Sequence, residues 1–396
     1  MTPRLPLPLA GLPLHAADLR GLTRLATDGV VGITDVVEAM HHGITSVGGR
    51  LAAHPAGRTM GITGFVYRRV RGTTRLVGQG LEAVLGLAAP RAPATVKPAR
   101  EAFVAALNGV FGDHLANSSN PLAIQASLRI GGRPWREALT APTGRVLVQA
   151  HGLAMNDLQW VRNGHDHGQA LAQDLGFTPV HLHYNSGRHV SQNGRDFSAL
   201  LDELVLSWPV PVEELVILGH SMGGLVARSA ILAGESQPWR RALRALVCLG
   251  TPHHGAPLER GGHVVDTLLG ASAFVAPLAR LGRARSAGIT DLRYGNLQDA
   301  DWLPHVRHTQ THDDRQPAPL PNGVDCFVVA ATRARGPRPS LPGDGLVPVA
   351  SALGEHGDPA CALAVPAAHR HIVFGANHWD LLDHPEVLDT LRGWLR

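Results

Sequence analysis

Cysteine is scarce in this chain: 396 residues hold three, Cys248, Cys326 and Cys361. An odd number, with the first two inside apolar runs, argues against a disulfide framework and for reduced thiols acting as small hydrophobes. Also missing is any run of the ~18 to 20 uninterrupted apolar residues needed to span a bilayer. Residues 1–14 carry one arginine and a short apolar stretch broken by four prolines, with no small-residue cleavage site behind it. A cytoplasmic location is therefore expected. No internal repeat and no nucleic-acid motif is present. His181 and His183 fall on one face of a strand, and His253 and His254 are adjacent, but no cysteine or carboxylate cluster of zinc spacing accompanies them. Neither a metal nor a cofactor is expected, and these histidines are expected to shape the mouth of a site.

What is present is enough apolar material, 44% of residues against 17% charged, to bury a full core with an appendage. Charge is uneven. The first 100 residues hold twelve Lys and Arg against five Asp and Glu, a balance of +7, while the whole chain is +4. That asymmetry leaves peripheral association of residues 1–140 with an anionic membrane open, although in the absence of a dense basic run a solvated arginine-bearing helical face is the simpler reading.

Apolar residues recur at three- and four-residue steps from Leu19 to Met40, from about Ile62 to Leu87 and from about Ala102 to Leu115. This spacing predicts a mainly helical region over 1–140. From Thr143 onward short apolar runs alternate with helical stretches, as in a mostly parallel sheet flanked by helices. Strands are expected at Val146–Gln149, Val180–Tyr184, Leu215–Leu218, Ala245–Leu249, Cys326–Ala330 and His371–Phe374. The α/β domain spans 141–396, with an insertion at about 257–321 expected to act as a cap or lid.

The central signal is the apolar strand Leu215–Leu218 entering Gly219-His220-Ser221-Met222-Gly223 and leaving into a helical run. This is G-x-S-x-G in the strand-turn-helix context that exposes a serine hydroxyl at a strained turn, with Gly219 and Gly223 allowing close passage of the chain. The helix N-terminus that follows favours negative charge at the same spot. A serine nucleophile needs a base, and the base an orienting acid. Asp344 follows the strand Cys326–Ala330, and His378 follows His371–Phe374, each on a loop past a strand's carboxyl end. An Asp-Gly turn is common in any chain, and there are 23 histidines; the order Ser221, Asp344, His378 selects these two. The backbone N–H groups of Met222 and Leu153 are the candidate oxyanion donors, with Gly152 turning the loop and His151 bracing it.

Together, His151-Gly152-Leu153, Gly219–Gly224, Gly250-Thr251-Pro252-His253-His254-Gly255, Asp344–Pro348 and Asn377-His378 resemble bacterial lipases and esterases of the α/β-hydrolase superfamily, a group that includes GPI inositol-deacylase-like proteins. The resemblance covers about residues 143–396. It implies an α/β-hydrolase fold and cleavage of carboxylic esters by Ser221, Asp344 and His378, with Leu153 and Met222 at the oxyanion hole. Asp380 resembles a calcium ligand of some of these lipases, but no second ligand is identified and calcium is not expected. A thioesterase, an amidase or a polyester depolymerase would use the same residues, and a non-catalytic binder of lipid or a partner is the alternative from another class.

Overall fold

The computed structural model describes residues 14–46, 61–87, 97–256, 286–303 and 313–396. Two helices open the chain, α1 (Ala16–Ser46) and α2 (Gly61–Leu87). They run antiparallel against each other: Arg71 of α2 bonds Asp35 and Glu38 of α1, while Gly78 lies against Thr27. With residues 117–123 they make one compact unit, in which Asn120 donates to the Gly21 carbonyl at 3.0 Å.

The second unit contains residues 97–116 and the described chain from 124 onward. It holds α3 (Pro98–Asn117), β1 (Ser127–Ile130), β2 (Arg133–Pro134), the single turn α4 (Trp135–Ala138) and β3 (Arg145–Ala150). There follow α5 (His167–Leu175), β4 (Thr178–His183), α6 (Val190–Ser207), β5 (Glu214–His220), α7 (Met222–Ala233), β6 (Leu243–Leu249) and α8 (Ala287–Asp291). The chain ends with β7 (Asp325–Thr332), α9 (Val349–Ala352), β8 (Arg370–Phe374) and α10 (Pro385–Trp394). The strands form one sheet in the order β2-β1-β4-β3-β5-β6-β7-β8, parallel from β4 to β8 and antiparallel at the β1 and β2 edge.

All six expected strands are present. Their near-continuous apolar runs reflect burial on both faces of a parallel sheet: Leu215 to Leu218 are fully buried, and an apolar cluster lies on each side. Within the described residues the two compact units divide near residue 96, with residues 117–123 joining the first. The helix α3 belongs with the sheet because it is apolar almost all round, burying Phe103, Val104, Leu107, Val110 and Leu115, and such a helix needs cover on several sides. The short β1 and β2 are too brief to show a period. The expected insertion at 257–321 lies largely outside the described residues; 286–303, which contains α8, and 313–321 are its described parts.

Candidate active site

The turn from β5 into α7 places Ser221 at φ +55°, ψ −124°, a left-handed conformation that a residue with a side chain adopts only when its surroundings enforce it. Here they do. The Ser221 N–H donates to the Leu249 carbonyl at the end of β6 at 2.8 Å, and the Gly224 N–H closes the turn on the Ser221 carbonyl at 3.1 Å. A Cβ on Gly223 would collide with the carbonyl oxygens of Ala150 and His151, and one on Gly219 would lie 2.5 Å from the Gly224 nitrogen. Glycine at both positions lets the strand and helix cross this closely.

Asp344 and His378 come together from loops 34 residues apart in sequence, with His378 Nδ1–H donating to Asp344 Oδ2 at 2.6 Å. The other carboxylate oxygen accepts the Leu346 and Val347 N–H groups, each at 2.8 Å. The acid is thus fixed at both oxygens. The His378 N–H also donates to the Asp344 carbonyl at 3.2 Å. His378 Nε2 has no hydrogen-bond partner among the described residues. The ring borders Gly250, the residue after the Leu249 carbonyl that holds Ser221. Ser221 is 5% exposed, and Asp344 and His378 are each 1% exposed, so charge developing here is poorly screened by water.

The loop after β3 approaches Ser221 closely, a Cβ on Gly152 lying 3.1 Å from Ser221 Cβ. His151 braces it through Nδ1–H to the Gly152 carbonyl at 2.9 Å, and burial, the dominant cause, lowers its pKa to about 3. Tyr184 stacks on His151 and donates from its hydroxyl to the His151 carbonyl at 2.7 Å. Ser186 Oγ accepts the Ala154 N–H at 2.9 Å. Leu153, within this loop, and Met222, the first residue of α7, are both buried.

His181 and His183 are not at the site mouth. Both are buried in β4, 3.6 Å from Asp166 and 3.1 Å from Asp157 respectively, because strand alternation turns them to the face where these acids lie. Burial pushes the Asp157 carboxyl up, but the nearby His183 and Arg129 outweigh it and hold the group at about 2. His253 is likewise buried, accepting at Nδ1 from Arg228 at 3.3 Å. No cluster of three metal-ligating side chains occurs among the described residues.

Two contributors were missed from sequence. His220, the variable residue of G-x-S-x-G, lies against His378. The helix α3 supplies the second: Asn185 donates to its Gly112 carbonyl at 2.9 Å and Ser286 to its Gly109 carbonyl at 2.6 Å, tying it to the loop after β4 and to α8. The signal available was Tyr184-Asn185-Ser186-Gly187, a polar turn directly after a strand.

A family model for the PGAP1-like alpha/beta domain matches residues 203–290, a stretch containing β5, the Ser221 turn, α7 and β6. The mostly parallel sheet with a strained serine turn after β5 is an α/β-hydrolase fold. This hydrolase fold is similar to the mature form of a Bacillus licheniformis lipase, at 17% identity over 68% of this chain and 98% of that one, with a TM-score of 0.43. It is also similar to Aspergillus fumigatus lipase B, at 11% identity over 66% and 54% of the two chains and a TM-score of 0.39. A Pyrococcus furiosus esterase is 15% identical over 64% and 84%, with a TM-score of 0.36. No curated protein matches the chain in sequence.

Proposed function

We propose that this α/β-hydrolase cleaves carboxylic esters through an acyl-enzyme on Ser221. What supports the reading is the strained Ser221 turn together with His378, whose Nδ1–H is committed to Asp344 and whose Nε2 is unpartnered among the described residues. Ser221 Oγ attacks the ester carbonyl and passes its proton to His378 Nε2, while Asp344 stabilises the imidazolium. The oxyanion is held by the backbone N–H groups of Met222 and Leu153, the former also at the N-terminus of α7. Collapse expels the alcohol, which takes the proton from His378. Water then attacks the acyl-enzyme by the reverse sequence of proton transfers.

Intact mass after incubation with a fluorophosphonate probe tests the reading. One adduct on the wild type and none on Ser221→Ala is expected. A folded wild type that stays unlabelled with or without detergent would favour a binding protein on this fold.

A further inference from the structure

Arg228 is the one charged residue of α7, and it is 5% exposed. Its guanidinium donates to the Ala318 carbonyl at 2.5 Å and to His253 Nδ1 at 3.3 Å. Burial keeps the His253 imidazole well below its usual pKa, so both acceptors are neutral. No carboxylate pairs with Arg228 among the described residues, and burial pulls its pKa down to about 10. A cation taken out of water is costly unless an opposite charge compensates it. The helix thus carries a buried positive charge that its own chain does not balance.

Arg228 lines a cavity of about 220 Å³ bordered by α7, the turn at Pro238–Arg241 and the segment 319–322. A second arginine, Arg240, lines the same cavity, and its Nε and Nη1 are buried without a hydrogen-bond partner among the described residues. Most of the remaining wall is aliphatic: Ile231, Leu232 and Leu320, with Pro319 and Pro321. The exposed Glu235 also lines the cavity and pairs with neither arginine among the described residues. Two cations against one carboxylate leave the wall with one positive charge, which a monoanion balances and a dianion would reverse. The cavity is smaller than the ~300 to 1,000 Å³ that holds a drug-sized ligand, so its occupant is small. Guanidinium groups match the oxygens of a carboxylate, and an aliphatic wall rewards burial of an alkyl tail.

We infer that this cavity binds a short-chain aliphatic monocarboxylate, its carboxylate held by Arg228 and Arg240 and its alkyl chain lying against Ile231, Leu232 and Leu320. Seven residues of α7, about 10 Å of helix, separate Arg228 from Ser221. The inference stands apart from the ester-hydrolase reading, and its test does not use activity. The full chain is titrated calorimetrically with hexanoate, acetate, hexanol and inorganic phosphate. Hexanoate is expected to bind once per chain and to raise the melting temperature. Acetate lacks most of the tail and hexanol lacks the charge, so each is expected to bind about tenfold or more weaker. Arg240→Ala is expected to weaken hexanoate about tenfold or more, and Arg240→Lys to recover part of that loss. Leu232→Glu adds a second carboxylate to the wall and is expected to abolish binding. Arg240 and Leu232 are both partly exposed, and unchanged circular dichroism and ligand-free melting show that the variants fold. A wild type that does not bind hexanoate overturns the inference. So does hexanoate binding unchanged in both Arg240→Ala and Leu232→Glu, which would put the ligand elsewhere. Phosphate binding tighter than hexanoate would overturn the assignment to a carboxylate.

Discussion

The imidazole of His220 lies 4.8 Å from that of His378, and its Nε2–H donates to the His378 backbone carbonyl at 3.2 Å. The residue preceding Ser221 thus holds the loop that carries His378. Burial, and then repulsion from His378, keep the His220 pKa well below its usual value, so the ring acts as a neutral donor. His220→Phe keeps an aromatic ring and removes the donor. The expected result is a fall in kcat/KM of about tenfold, the worth of one hydrogen bond, with Ser221 still labelled by the probe at a reduced rate. Unchanged kinetics would show that the contact only packs.

Asp344 has both oxygens committed, one to His378 and one to two backbone N–H groups. Asparagine fits the same space but presents an amide in place of the carboxylate. It cannot stabilise an imidazolium and favours the wrong tautomer of His378. Asp344→Asn is expected to lower kcat by about 10³- to 10⁴-fold with KM little changed. Steady-state rates on a short-chain chromogenic ester measure this, and a loss below tenfold would remove Asp344 from the triad.

His151 and His167 are buried in the folded chain, and that burial, the dominant cause for each, lowers their pKa from 6.5 to about 3 and about 4. The unfolded chain binds a proton at each near 6.5, whereas the folded chain refuses it until lower pH. Their contribution to stability is therefore complete above pH 6.5 and is lost as pH falls toward the folded values. Each adds up to about 1.4 kcal/mol per pH unit to the slope in that window. Denaturant midpoints across the window are expected to show a shallower slope for His167→Gln, by one proton's worth, and an equal slope would contradict the assignment.

Legibility differed by element for physical reasons. The six parallel strands were readable because burial on both faces demands unbroken runs such as Leu215-Val216-Ile217-Leu218. Antiparallel β1 and β2 at the sheet edge carry no such demand, and α3, buried almost all round, resembles α1 and α2 in composition although it packs with the sheet. The histidines of β4 were misplaced because alternation names a face of a strand but not what covers it, and the covering acids Asp157 and Asp166 come from loops.

By itself, the order of motifs determined which serine, acid and histidine stand at strand ends, since G-x-S-x-G after an apolar run and loops after two later runs leave few choices. Tertiary structure alone decided three things. It brought Asp344 and His378 to 2.6 Å, turned His220 under His378, and joined Arg71 of α2 to Glu38 of α1. Strand and helix periods are local and survive in the one-dimensional pattern. Contacts between residues tens of positions apart depend on how far loops reach and which faces meet, and the pattern carries neither.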